Sequence, residues 1–338
     1  MANPVKPKEK PAKRSPGVRS AEVRLPASTS NLGAGFDCFG LALQLYLTIR
    51  ATVEPESKVN CRIDFEGNAE NANLPRDAEN LIYRSMAYVA AREGLTLPRV
   101  HLTVQNDIPI SRGLGGSAAA IVGGIKLVGL LCAREIPDDK VLQYATEFEG
   151  HADNVVATLL GGFIVTCISR QGRIVAVKSH WPNDIKIVVV APELHVVTKL
   201  ARSALPRMIN HIDGVFNLQR SALFSAALFE KRYELLWEAM QDRLHQEKRS
   251  TLVPGLAEAL ALPQTTGLLG LALSGAGPSV LALAQDNFDE IAKAIADCFK
   301  RHGIGTTTHK LQIDNNGFQS RVLKPAARAR KGSAVTGV

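Results

Sequence analysis

The chain has 338 residues, of which 46% are hydrophobic and 21% charged, and a formal net charge of +8 at pH 7. That apolar fraction is ordinary for a globular protein, so disorder of the whole chain is excluded, and at about 100–200 residues per domain the length predicts two compact domains. Residues 1–20 carry six bases against one acid and residues 321–338 carry five bases and no acid, which leaves −2 for the body between them and removes the case for a basic nucleic-acid-binding face. The two ends, taken as 1–20 and 317–338, are rich in Pro, Ala, Gly and Ser and read as disordered basic tails. No run approaches the ~18 apolar residues of a transmembrane helix, and the N-terminus has no apolar core of a secretory signal. The five cysteines (Cys38, Cys61, Cys132, Cys167 and Cys298) form no CxxC pair, so a reducing cytoplasm is the simplest compartment.

Alternating apolar and polar side chains predict strands at 21–25 and 41–54, with a Gly-, Ser- and Asn-rich loop over 26–40 between them. Residues 79–93 repeat at helical spacing, with Leu81, Ile82, Met86 and Val89 on one side, and 100–106 alternates as a strand. A turn and a glycine loop then lead into an apolar helix that runs to about Cys132. Pro137 opens another helix through about Glu149, and 163–169 with 173–178 forms a hairpin around Gln171 and Gly172. A boundary near Trp181 separates a first domain, 21–180, from a second, 181–316. In the second, IKIVVVA is a buried strand, 206–229 and 230–242 are helical, and 268–274 and 280–283 are short strands joined by a Gly-Ala-Gly-Pro turn. An amphipathic helix at 288–302 and a last strand at 305–313 follow. Strands and helices without regular βαβ alternation favour an α+β fold.

Four segments carry chemistry. The richest is PISRGLGGSAA, from Pro109 to Ala119. Its glycines let backbone N–H groups approach an anion, and the following helix offers unsatisfied N–H donors and a positive dipole end. No GK[ST] follows, so a P-loop fails. The spacing of Gly113, Gly115 and Ala118 fits the short dinucleotide fingerprint, yet 107–112 separates it from the strand and no second strand with a terminal acid follows. STSNLGAGFD, over 28–37, combines glycines with Asn31 and Asp37, an amide and an acid suited to polar recognition. EGHADN, over 149–154, crowds Glu149, His151, Asp153 and Asn154 together, and a carboxylate there suits a hard cation such as Mg²⁺. SGAGPS, over 274–279, is a third glycine turn. Each segment also fits a structural reading as a connector, an Asx turn, a helix end or a tight strand connection.

Together these segments resemble the GHMP kinases, and within them the homoserine kinase branch. VRLPASTSNLGAGFDCFGLAL is similar to that family's first motif, IPISRGLGGSAAA to its nucleotide phosphate loop and LSGAGPSVLAL to its third motif. EGHADNV followed by LLGGF, the pattern from Val197 through Thr198 and Arg202 to Pro206, and Arg249 with LVPG point to the same branch. The resemblance covers 21–314. Ala34 departs from it where the family often has Pro, and Gly116 where many members have the first of two serines.

The resemblance implies a ribosomal protein S5 domain 2-like N-terminal, ATP-binding domain and a ferredoxin-like C-terminal domain, with the site between them. It implies ATP as co-substrate, Mg²⁺, L-homoserine as phosphoryl acceptor on the way to threonine, and a homodimer. Pro109, Ile110, Ser111, Arg112, Gly113, Leu114, Gly115, Gly116, Ser117, Ala118 and Ala119 would wrap the triphosphate. Ser117 and Glu149 would hold the metal. Asn31, Asp37, His151, Asp153, Asn154, Thr198, Arg202, Arg249 and Gly275 would surround the amino acid, with Arg249 counted beside Ser117 and Glu149 as catalytic. An arginine pair suits a carboxylate and Asp37 an ammonium. The alternatives are a related kinase acting on another small alcohol and a non-catalytic ligand-binding homologue. The second would have lost Ser117 or Glu149, and both are present.

Overall fold

The computed structural model describes residues 18–323, apart from 68–70 and 72. Two long strands lead: β1 (Ser20–Asn31) and β2 (Gly35–Val53). The predicted loop over 26–40 is therefore mostly strand, and the connection shrinks to three residues, 32–34. Pairing of Ala27–Ser30 with Gly40–Leu43 supplies the backbone hydrogen bonds that the local composition hides. Next come β3 (Cys61–Glu66), which the sequence did not suggest, α1 (Leu81–Arg92), β4 (Val100–Asn106), α2 (Gly116–Leu131), α3 (Asp138–Glu149) and α4 (Asp153–Leu160). The hairpin β5 (Phe163–Ile168) and β6 (Ile174–Ser179) stands as expected.

Then β7 (Lys186–Pro192) leads into α5 (Thr198–Ser203) and α6 (His211–Phe229). The predicted helix over 206–229 thus starts later, where the Asn210 side chain caps the first turn by accepting from the Ile212 amide at 3.1 Å. The predicted helix over 230–242 is a 3₁₀ turn, Tyr233–Leu235, and a short α7 (Leu236–Ala239). After α8 (Gln246–Ser250) and α9 (Leu256–Leu260) come β8 (Leu268–Leu273), β9 (Val280–Ala284), α10 (Phe288–Lys300), β10 (Thr306–Leu311) and β11 (Gln319–Val322).

The strands form two sheets. The first is seven-stranded, in the order β11-β1-β2-β4-β3, with β5 also pairing with β2 and β6 with β5. β2 is long enough to serve two partners: Phe39–Leu41 pairs with β5 and Leu47–Val53 with β4. The second sheet has the order β10-β7-β9-β8, all antiparallel. Its strand–helix–strand–strand–helix–strand succession is the split βαβ arrangement of ferredoxin-like domains.

The boundary near Trp181 marks a change of sheet, but it is not a loose linker. Trp181 is buried and packs edge-on against Phe163, with ring centroids 6.0 Å apart. Alternation along β7 explains how the halves join: Ile187 and Val189 enter the core shared with the first sheet, while Val188 and Val190 face the core under α10. At the other end, the stretch expected as a tail from residue 317 is partly strand. β11 pairs antiparallel with β1, Ala21 opposite Val322 through Arg24 opposite Gln319. At the N-terminal end, Val18 already packs against the core and β1 begins at Ser20, so only 1–17 and 324–338 of the predicted tails lie outside the described residues. No helix among the described residues is long and apolar enough to cross a membrane.

Candidate functional site

The sheets bring the three glycine segments into contact. The Ser28 amide donates to the Leu114 carbonyl at 3.1 Å, and the Gly275 amide to the Ser30 carbonyl at 3.2 Å. The Asn31 side chain donates to the Gly275 carbonyl at 2.9 Å, and its oxygen accepts from the Asp37 amide at 3.0 Å. Ser274 Oγ donates to the Gly113 carbonyl at 2.7 Å, so in its 2.8 Å contact with Thr29 it must be the acceptor. Two glycines are required by this closeness. A Cβ at Gly113 would run into the Ser274 carbonyl and one at Gly115 into the Ser28 hydroxyl, and both positions have positive φ.

Gly115 is also the left-handed N-cap of α2, and no side chain caps that end. The first-turn amides therefore offer donors and the positive end of the helix dipole to the cleft. Ser117 lies in this first turn, exposed, with no protein partner for its hydroxyl among the described residues. Across the cleft, α3 ends at Glu149, where Gly150 adopts φ 82° as the C-cap. Burial pushes the Glu149 carboxyl above the usual carboxylate range, partly offset by His151, whose Nε2 lies 3.9 Å away. The Glu149 carboxylate accepts no hydrogen bond among the described residues. A hydroxyl and an unsatisfied carboxylate fit Mg²⁺, which keeps waters and phosphate oxygens as its other ligands. Among the described residues there is no cluster of three or more His, Cys, Asp or Glu side chains able to hold a metal by themselves.

The charged end begins at the start of α4. His151 Nδ1 and Asp153 lie 2.6 Å apart, both buried, and Asp153 also accepts from the Asn154 amide at 2.7 Å. Burial opposes a charge on either group. The contact between them outweighs it, holding His151 above the ordinary imidazole value and Asp153 below the usual carboxylate value. Asn154 ties this segment to β1, accepting from Ser28 Oγ and donating to Ser30 Oγ, both at 2.9 Å.

Asp37 and Arg202 were expected to meet opposite ends of a substrate; here they bind each other. The two terminal guanidinium nitrogens reach the two carboxylate oxygens at 2.7 and 3.1 Å. Arg249 is buried, and desolvation together with the charge of Arg202 pulls its guanidinium down to about 10.

One cleft of about 380 Å³ gathers these groups. It is lined by Asn31, Asp37, all of 109–117, Glu149, His151, Asp153, Asn154, Arg202, Arg249 and Gly275. Ala118 and Ala119 are not among the lining residues: their side chains are fully buried in the core behind α2. Arg112 lines it while also donating to the Leu194 carbonyl of the second half. Thr198 opens α5, and its side chain lies outside the described part of the structure. Sequence reasoning missed the cleft's apolar end, where Leu47, Phe65, Leu74, Leu81 and Val104 converge with Asn80 and Asn106. These come from strands, a loop and a helix far apart in the chain, so no local pattern marks them.

Residues 80–162 match the family model of the GHMP kinases N terminal domain, and residues 224–301 that of the GHMP kinases C terminal. A homoserine kinase from Persephonella marina is 41% identical over 307 residues, covering 91% of this chain and 100% of that protein. A homoserine kinase from Desulfitobacterium hafniense is 37% identical over 296 residues, covering 87% and 98%. The crystal structure of homoserine kinase from Cytophaga hutchinsonii superposes with a TM-score of 0.78 at 26% identity, covering 94% of this chain and 100% of that one.

Proposed function

This chain belongs to the GHMP kinase family, and from that premise we propose that it is an ATP-dependent homoserine kinase. It transfers the γ-phosphoryl group of ATP to the side-chain hydroxyl of L-homoserine, giving O-phospho-L-homoserine and ADP in threonine biosynthesis. The observation that carries the reading is a single cleft with two unlike polar regions. One offers the uncapped N-terminus of α2 beside Ser117 and Glu149; the other offers Asp37, Arg202 and Arg249 to a small zwitterion.

In this reading the triphosphate lies along 109–117, its charge met by the first amides of α2. The adenine occupies the apolar end between Leu47, Phe65 and Leu81. Ser117 and Glu149 are the residues that would hold Mg²⁺, whose charge neutralises phosphate oxygens. The substrate ammonium goes to Asp37, and its carboxylate to Arg202 and Arg249. The Asp37–Arg202 pair keeps both charges satisfied and in place before the substrate arrives. The substrate hydroxyl oxygen bonds to the γ-phosphorus as the bond to the β–γ bridging oxygen breaks; ADP leaves with that electron pair, and the hydroxyl proton passes to an oxygen of the transferred phosphoryl group and from there to water. The transition state is loose and metaphosphate-like, so the protein's part is alignment and charge stabilisation, and no side chain is assigned as base. The cytoplasm and a homodimer belong to the same proposal; light scattering of the pure protein checks the dimer.

The test is a coupled ADP-release assay with Mg²⁺-ATP across homoserine, threonine, serine, mevalonate and galactose. Homoserine should give the highest kcat/KM. Absence of homoserine-dependent turnover would sink the reading, and a preference for threonine or serine would move it to another amino alcohol.

A further inference from the structure

His245 is fully buried and belongs to none of the motifs that carry the reaction, yet both ring nitrogens are engaged. Nε2 lies 2.9 Å from the Gly33 carbonyl in the turn between β1 and β2, and Nδ1 lies 3.4 Å from Arg249 Nη1. A carbonyl only accepts and a guanidinium only donates, so the ring must carry its proton on Nε2 and accept through Nδ1. The only side-chain carboxylate on the same segment near it, Asp242, is 3.7 Å from Nε2 and already accepts from the Leu244, His245 and Gln246 amides and from Asn217 Nδ2. Asp242 thus fixes the backbone that presents the imidazole, and it leaves the imidazole neutral.

Arg249 is held by the same web. Nε donates to the Ala201 carbonyl at 3.3 Å and Nη1 to the Gly275 carbonyl at 3.0 Å as well as to His245. Nη2 is left with no protein acceptor among the described residues, on a side chain that lines the cleft. The Phe36 ring completes the mount: its centroid is 5.1 Å from that of His245, 5.3 Å from the Arg249 guanidinium carbon and 5.8 Å from that of Arg202.

We propose that His245 is a positioning residue for recognition of the substrate carboxylate: by bridging the Gly33 carbonyl to Arg249 it fixes the guanidinium so that Nη2 serves the cleft. The inference rests on the homoserine kinase reading, and in particular on Arg249 meeting the carboxylate. It deepens that reading by adding a residue that touches neither substrate nor ATP.

The test compares His245→Phe and His245→Gln with the wild type, using homoserine and 3-aminopropan-1-ol, which lacks the carboxylate. Phe keeps a ring against Phe36 and has neither nitrogen. Gln has both an acceptor and a donor. For His245→Phe we expect the KM for homoserine to rise about ten-fold, the scale of one hydrogen bond to a charged group, with kcat and the KM for ATP within about two-fold. The 3-aminopropan-1-ol KM should not change, and His245→Gln should return most of the loss for homoserine. The proposal is overturned by an unchanged homoserine KM in the Phe variant, by an equal penalty on both alcohols, or by a joint decline in homoserine and ATP parameters that Gln does not rescue. Failure of both variants to fold, read by circular dichroism, overturns it too, since His245 would then be a general core residue. A wild type inactive on homoserine overturns the underlying reading and this inference with it. A wild type active on homoserine with unaffected variants overturns this inference alone.

Discussion

Arg202 and Asp37 form a forked ion pair whose side chains are each about a third exposed, 34% and 37%. Exposed pairs of this kind contribute about 0–1 kcal/mol to stability, because water screens them and ordering costs entropy. Their value lies in recognition. Arg202→Ala should therefore leave the melting temperature nearly unchanged and raise the KM for homoserine about ten- to a hundred-fold, the range for charge-assisted hydrogen bonds. A shift in the ATP KM alone would contradict the assignment. The buried His151–Asp153 pair behaves differently. His151 is held above its ordinary 6.5, so its contribution is complete below pH 6.5 and is lost as pH rises through the folded value. Asp153 is held below its ordinary 3.8, so its contribution is complete above pH 3.8 and is lost as pH falls through the folded value. Both are present between 3.8 and 6.5. Asp153→Asn should destabilise the protein most in that window, by about 1–3 kcal/mol for a buried group deprived of its partner. Denaturant unfolding from pH 4 to pH 9 checks this, and a penalty growing above pH 7 would refute it.

Elements with a strong period were readable, and those defined by tertiary partners were not. α10 buries Ile291, Ile295, Cys298 and Phe299 at helical spacing, and β7 is an unbroken apolar run because both of its faces meet a core. β11 has the residues QSRV, all exposed, and only its hydrogen bonds to β1 make it a strand. The site divides along the same line. Glycine segments are local and were legible, as were the polar residues around them; the apolar end of the cleft and His245 are assembled across the fold and were not. α2 shows how an element can depend on a residue with no side chain. Gly115 takes φ +67°, and a Cβ there would meet Ser28. Gly115→Ala should cost about 1–2 kcal/mol from the left-handed backbone, with the collision in addition. It should also displace the donors aimed at the phosphates. In thermal melts, ATP at about 100 times its Kd should stabilise the wild type by about 2.7 kcal/mol and the variant much less. An equal ATP effect in both would separate the α2 N-terminus from nucleotide binding.

At the scale of the molecule, the chain leaves the first sheet after β6, builds the second, and comes back to the first with β11. The return is anchored before the strand begins. Asp314 accepts from the Gly317 amide at 2.7 Å and from Tyr46 at 2.9 Å, and Phe318 packs against the shared core. Beyond it, Arg321 reaches Glu22 on β1 at 2.6 Å. Burial works against the Glu22 charge, but Arg321 and Arg50 outweigh it and hold the carboxyl below its usual range. Position along the sequence therefore does not make this segment dispensable. A chain ending at Leu323 retains β11 and should match the full chain in melting temperature and homoserine kinase activity. A chain ending at Asn316 loses Phe318 and the Arg321 contact, and it leaves the β1 edge from Ala21 to Arg24 unpaired. It should melt several degrees lower and scatter light on heating, because an open strand edge is a template for association. Its KM values just below the melting transition should stay near those of the full chain, since no residue of β11 lines the cleft. Equal melting of the two truncated chains would show that β11 adds nothing to the first sheet, and a selective loss of homoserine affinity would show that the strand reaches the site through β1.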